Sequence, residues 1–131
     1  MDLGVDIVEI ARVRTALERH TAGFRRRVFT ELEWEQCSAS YASLAGRFAA
    51  KEAVMKSLGT GGMGFRDIEI VRLPSGKPEV RLSGRMRRRA DRLGVVTVLV
   101  SISHSRDNAI AVAVSQQSNR EKPASFPGSF P

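Results

Sequence analysis

The chain has 131 residues, 42% of them hydrophobic and 27% charged, and a formal charge of +7. Those values suit one globular domain; they exclude a disordered tract and two full-sized domains. Cys37 is the only cysteine, which rules out an intrachain disulfide and suits a reducing compartment. The start, MDLGVDIVEI, has carboxylates and no basic leader, and no apolar run approaches transmembrane length. A cytoplasmic protein is the resulting expectation. The positive charge is carried by 17 Arg and only 4 Lys. The arginine fork pairs well with phosphate and carboxylate, so an anionic partner is implied without being named.

The segment Leu3 to Ile10 is mostly β-branched and predicts a strand covered on both faces. Ala11 to His20 predicts a helix with Arg12, Arg14, Glu18 and Arg19 exposed. Thr30 reads as an N-cap whose capping-box partner is Glu33, opening a short helix to about Cys37. A longer helix is predicted from about Ser40 to Leu58, stopped by Gly59. The block Gly59 to Gly64 is too rich in glycine for regular structure and predicts a loop.

Phe65 to Leu73 and Pro78 to Leu82 flank a turn at Pro74, Ser75 and Gly76, which predicts a hairpin. Ser83 to Leu93 predicts a helix with a Met86, Ala90, Leu93 stripe amid arginines, ended by Gly94. Val95 to His104 and Ala109 to Ser115 predict an antiparallel hairpin joined through residues 105–108. A single domain over residues 1–115 follows, with a polar, proline-containing tail over 116–131. The order strand, three helices, hairpin, helix, hairpin specifies an α+β protein with mainly antiparallel pairing.

Two carboxylates interrupt apolar elements. In the long helix, Tyr41, Leu44, Ala45, Phe48, Met55 and Leu58 mark a stripe, and Glu52 lies in its middle. Asp6 interrupts Gly4, Val5, Ile7 and Val8. A carboxylate facing a core is costly unless it is paired, protonated or bound to metal. A shared hard cation such as magnesium fits both, and so does a pair of separate ion pairs with Arg or Lys. Lys51 and Lys56 flank the stripe within reach of whatever Glu52 faces. His104 shares strand parity with Val96, Val98, Val100 and Ile102, so it is either a rim histidine or part of a site at the strand end. The glycine block permits close approach of amides to phosphate, but it is neither a P-loop nor a dinucleotide fingerprint. The arginines alone would allow a nucleic-acid-binding module, yet there is no recognition-helix motif, zinc-finger spacing or aromatic platform.

Three blocks resemble one family: GVDIVEIARV (Gly4 to Val13), FTELE with RFAAKEAVMKSLGTG (Phe29 through Gly61), and VSISHSRDNAIAVAV (Val100 to Val114). FRDIEI and GKPEVRLSG resemble its middle hairpin. The family is the short bacterial type of the 4'-phosphopantetheinyl transferases, the holo-acyl-carrier-protein synthases. The resemblance implies a mainly antiparallel sheet packed on a long helix, and transfer of 4'-phosphopantetheine from coenzyme A to a serine of apo acyl carrier protein. It implies magnesium, with manganese as an alternative, on Asp6 and Glu52. It implies Lys56 and His104 beside the coenzyme as further catalytic residues, and Arg47, Gly59 and Gly61 in coenzyme binding. Arg12 and Arg14 would meet the carrier, with Arg19, Arg25 and Arg26 as weaker contacts, and nucleic acid and membrane would not be partners. A homotrimer with interfacial sites in fatty-acid synthesis is implied as well; a noncatalytic trimeric scaffold of the same fold is the rival within the family. The long proline-rich tail and the unusually glycine-rich block depart from the family's pattern without removing a functional residue.

Overall fold

The computed structural model describes residues 1–118. In chain order the elements are β1 (Asp2–Glu9), α1 (Ile10–Val28), α2 (Glu31–Cys37), α3 (Tyr41–Ser57), a 3-10 turn at Phe65–Asp67, β2 (Ile68–Arg72), β3 (Pro78–Leu82), α4 (Gly84–Leu93), β4 (Val95–His104) and β5 (Asn108–Gln117). One antiparallel sheet runs β1-β5-β4 and a separate hairpin pairs β2 with β3. The α+β expectation and both hairpins hold. Strand β5 continues through Gln117, two residues beyond the expected end of the domain, and residues 119–131 of the expected tail lie outside the described residues.

Small side chains set how closely α3 lies on the sheet. Ala109, Ala111, Ala113 and Ser115 point inward from β5, and Ala45, Ala49, Ala50 and Ala53 are buried on α3. Gly4 of β1 is the closest approach: a Cβ built there would stand 2.0 Å from the Ala53 carbonyl oxygen. No side chain fits at that point, which explains the glycine on packing alone.

The sheet is covered on one face only. Leu3, Val5, Ile7, Leu99, Ile110 and Val112 are exposed, against the expectation that the first strand is buried on both sides. A bulge between Val95 and Thr97 moves Val96 out of the inward row, so Val98, Val100, Ile102 and His104 share a face without it. Helix α1 runs eight residues beyond the expected end, through a kink at His20 (φ −137°, ψ 47°). Phe24 and Val28 carry that continuation into the core, where Phe24 meets Phe29 edge-on at 6.1 Å.

The capping box at Thr30 is present: Thr30 Oγ1 accepts from the Glu33 amide, and Glu33 Oε1 accepts from the Thr30 amide. The same glutamate does more than cap. Fully buried, it accepts from the Ile70 amide at 2.7 Å through Oε2 and pairs with the equally buried Lys51 at 2.5 Å through Oε1. Lys51 also donates to the carbonyls of Val28 (2.7 Å) and Phe65 (3.0 Å). Burial pushes the Lys51 pKa down, and the Glu33 carboxylate opposes that shift.

Breaking a buried pair strands the remaining charge, whereas an exposed pair contributes little. Lys51→Met is therefore expected to lower the free energy of unfolding in urea by about 3–5 kcal/mol. Lys56→Met, which removes a lysine whose side chain is 54% exposed, should cost less than about 1 kcal/mol.

Candidate active site

Helix α3 is wrapped by the sheet on one side and by α1, α2 and β2 on others, so the apolar stripe read from its sequence is not one face. Its partly open strip is Phe48, Glu52 and Lys56, spaced i, i+4, i+8. Glu52 lies on that strip rather than inside the core. The strip borders a cleft of about 510 Å³ between β1, α1 and α3, lined by Asp6, Arg12, Phe24, Phe48 and Glu52 among others. Asp6 reaches it because it shares inward parity with Gly4 and Val8, and its side chain is 14% exposed.

Lys56 Nζ donates to Asp6 Oδ1 at 2.9 Å and to the Val5 carbonyl at 3.0 Å. Hydrogen bonding to Asp6 raises the Lys56 pKa. The other carboxylate oxygen, Asp6 Oδ2, is buried with no hydrogen-bond partner among the described residues. The Glu52 carboxyl is a close neighbour of the Asp6 side chain. Burial, then hydrogen bonding with and repulsion from Asp6, lift the Glu52 pKa to about 7, while Lys56 pulls it down. Two carboxylates with one ammonium between them leave the cleft short of positive charge. When both are ionised neither can donate, so a proton or a cation has to stand between them.

That donor set fits a hard divalent ion. Among the described residues no group of three or more His, Cys, Asp or Glu could enclose a metal. Two carboxylates facing an open cleft match magnesium, which keeps waters and takes further oxygens from a phosphate substrate.

The remaining expected residues fall in three places. Gly59 (φ 71°) is the left-handed residue closing α3: its amide bonds to the Lys56 carbonyl and the Thr60 amide to the Met55 carbonyl. Gly61 follows in the same loop. Arg47 does not line the cleft. It is buried with Nε and Nη2 unpartnered, and its charge is felt by Cys37 of α2, whose thiol pKa burial raises and Arg47 lowers. His104 shares the α3-facing side of the sheet but lies on the far edge strand: it is opposite Ala109, which is opposite Val8. It is roughly 10 Å of sheet away from β1, two strand spacings.

Among the expected carrier contacts, Arg12 lines the cleft and Arg14 lines an adjoining concavity with its guanidinium over Tyr41 at 5.2 Å. Arg19 and Arg26 are exposed. Arg25 is engaged, bonded to Glu31 at 3.1 Å and stacked on Trp34 at 4.5 Å. Lys51, expected within reach of whatever Glu52 faces, is buried and bonds to Glu33, Val28 and Phe65 instead. Sequence reasoning missed the aromatic wall of the cleft. Phe48 was expected in the core and instead stacks on Phe65 (5.5 Å) and tilts against Phe24 (5.8 Å) at the rim. The Phe24, Val28 spacing was the available signal for the helix that carries this wall.

The chain is similar to known proteins over most of its length. Holo-acyl-carrier-protein synthase of Gloeobacter violaceus is 49% identical over 115 residues, covering 83% of this chain and 87% of that protein. The enzyme of the same name from Herpetosiphon aurantiacus is 47% identical over 120 residues, covering 85% and 94%. The Helicobacter pylori holo-acyl-carrier-protein synthase, solved in complex with coenzyme A, superposes with a TM-score of 0.80 at 35% identity over 87% of this chain and 99% of that one. Among the described residues no helix is long and apolar enough to cross a membrane. With the family model matching residues 2–114, the chain belongs to the 4'-phosphopantetheinyl transferase superfamily.

Proposed function

We propose that the protein transfers 4'-phosphopantetheine from coenzyme A to a serine hydroxyl of an apo acyl carrier protein, releasing adenosine 3',5'-bisphosphate. The observation that carries this reading is the closeness of Asp6 and Glu52 beside Lys56, with Asp6 Oδ2 buried and unpartnered, in a chain of this family. The serine oxygen bonds to the phosphorus bearing the pantetheine arm, the pyrophosphate P–O bond breaks, and the nucleotide leaves.

Asp6 and Glu52 hold magnesium, for which manganese can substitute because it shares the same oxygen chemistry. When bound, the ion polarises the attacked phosphorus and offsets charge on the leaving phosphate. Lys56, exposed at the cleft mouth, turns from Asp6 to the phosphate oxygens. Of the carboxylates, Glu52 is the candidate to take the serine proton. Gly59 and Gly61 shape the nucleotide pocket. Arg47, which lies outside the cleft, is assigned to phosphate binding on the family resemblance alone.

His104 orients the coenzyme by hydrogen bonding to phosphate. Its distance from the carboxylates supports a site completed by a neighbouring subunit, as in the homotrimers to which the family resemblance points. The bare sheet face supports the same assembly: Leu3, Val5, Leu99, Ile110 and Val112 form an apolar surface of the kind that marks an interface. Arg12 and Arg14 form the docking face for an acidic carrier, with Arg19 and Arg25 at its margin. The +7 charge speeds encounter and fixes register. This reading puts the enzyme in the cytoplasm, in fatty-acid biosynthesis, with residues 1–115 as the catalytic domain.

Intact-mass measurement tests the reaction. With coenzyme A and magnesium, an apo carrier should gain the mass of one phosphopantetheine, and a chelator should abolish the gain. Glu52→Gln should keep the wild-type melting temperature and lose roughly 100-fold or more in rate. Full activity in the folded variant would remove the metal assignment. Arg14→Glu should raise the carrier KM about tenfold while the coenzyme A KM stays put. Val112→Asp should convert the species seen by sedimentation from trimer to monomer, with transfer falling in parallel.

A further inference from the structure

Helix α4 carries five arginines, and the proposed reaction uses none of them. Arg85, Arg87, Arg88 and Arg92 are exposed, whereas Arg89 is half-buried and turned toward the end of α3. There the closing turn already uses the carbonyls of Met55 and Lys56. The Ser57 carbonyl accepts from Ser115 Oγ, and Arg89 takes the two after it: Nε donates to the Leu58 carbonyl at 2.8 Å and Nη2 to the Gly59 carbonyl at 3.4 Å. A guanidinium at a helix C-terminus also complements the negative end of the helix dipole. The contact is close enough that a Cβ on Gly59 would stand 3.0 Å from Arg89 Nη2.

The other end of the glycine loop also rests on α4. A Cβ on Gly64 would stand 2.8 Å from Met86 Cε, and Asp67, just beyond, accepts from the Arg85 amide at 2.9 Å. Between these anchors Gly61 and Gly62 have nothing within 4 Å of a Cβ position. The loop therefore has little packing of its own, and its shape is set at its ends.

We propose that Arg89 is a positioning residue: it fixes the Gly59–Gly64 loop, and through it the nucleotide half of coenzyme A, without touching the substrate. The proposal rests on the reading of Gly59 and Gly61 as part of the nucleotide pocket. A glycine-rich segment has a large conformational entropy to lose on binding. Holding it before the coenzyme arrives lowers the cost of binding. The effect belongs in coenzyme affinity, because Arg89 bonds the turn that closes α3 and not Asp6 or Glu52 themselves.

The test compares Arg89→Gln, Arg89→Lys and Arg88→Gln. Arg88 is exposed on the same helix, so its variant removes equal charge without the grip. Two readouts are taken: amide hydrogen exchange over residues 58–64 in the free protein, and the KM values for coenzyme A and carrier together with kcat. Arg89→Gln should speed loop exchange and raise the coenzyme A KM, each about tenfold, the worth of a lost charged hydrogen bond. The carrier KM and kcat should stay within about twofold. Arg89→Lys should restore part of both effects, and Arg88→Gln should match wild type.

Wild-type loop exchange and coenzyme A KM in Arg89→Gln would overturn the proposal. So would an equal rise in Arg88→Gln, which would make the effect one of charge, or a uniform loss across kcat and both KM values. Absence of transfer by the wild-type enzyme would defeat the functional reading instead, and loop exchange in Arg89→Gln would still decide whether Arg89 holds the loop.

Discussion

The buried pair of Lys51 and Glu33 is the constraint on which the site depends. An ion taken from water costs several kcal/mol unless its partners replace the lost hydration. Here they do: the ammonium meets one carboxylate oxygen and two backbone carbonyls, and the carboxylate meets the amides of Thr30 and Ile70. The partners come from the end of α1, the start of α2, the 3-10 turn and β2. One side chain of α3 thereby locks four other segments around it and fixes the helix's rotation. With 3.6 residues per turn, the next residue, Glu52, must then point about 100° away, toward β1, and Lys56 sits one turn along on the same side. The adjacent Lys-Glu pair divides its work, the lysine holding the fold and the glutamate facing the cleft.

Close packing of α3 on the sheet supplies the second half of the geometry. Because Gly4 leaves no room for even a methyl group, β1 lies against the helix backbone, and Asp6, two residues on, is held against Glu52. Lys56 offsets the repulsion between these carboxylates at one oxygen of Asp6, and a proton held by Glu52 offsets the rest in the free protein. Such an arrangement is favourable for a protein that binds a cation and a polyphosphate. The tight helix–sheet contact maintains it.

Much of this was legible in the residues. The element order, both hairpins and the Thr30 capping box followed from local turn chemistry and periodicity. Asp6 and Glu52 stood out because carboxylates are costly among apolar neighbours, and the structure does make them close neighbours. Other features lacked a local signal. The second half of α1 is a basic run around Gly23, in which only Phe24 and Val28 keep helical spacing. Val96 left its row because a bulge depends on the partner strand, which alternation in one strand cannot reveal. Leu3, Val5 and Ile7 suggested burial on both faces; β-branched and apolar composition cannot tell a strand covered on two faces from one covered on a single face, and these three are exposed. Lys51 and Arg89 act across 18 and 31 residues of sequence, respectively, to Glu33 and Leu58, and no spacing rule anticipates such pairs.

Charge is arranged on two length scales. The chain as a whole is strongly positive, with arginines on α1 and α4, yet its cleft holds two carboxylates and an ammonium already paired to one of them. A long-range positive field draws in an acidic carrier and a polyphosphate coenzyme, and screening limits it to about 10 Å at ordinary salt. Inside the cleft, burial weakens that screening and the local acidic pair governs, so a divalent cation is favoured there while anions are favoured outside. The two preferences do not compete, because the coenzyme's phosphates can meet the cation and the basic rim together. The separation follows from where two helices and one strand place a few side chains, and it is maintained by the buried pair that sets the rotation of α3.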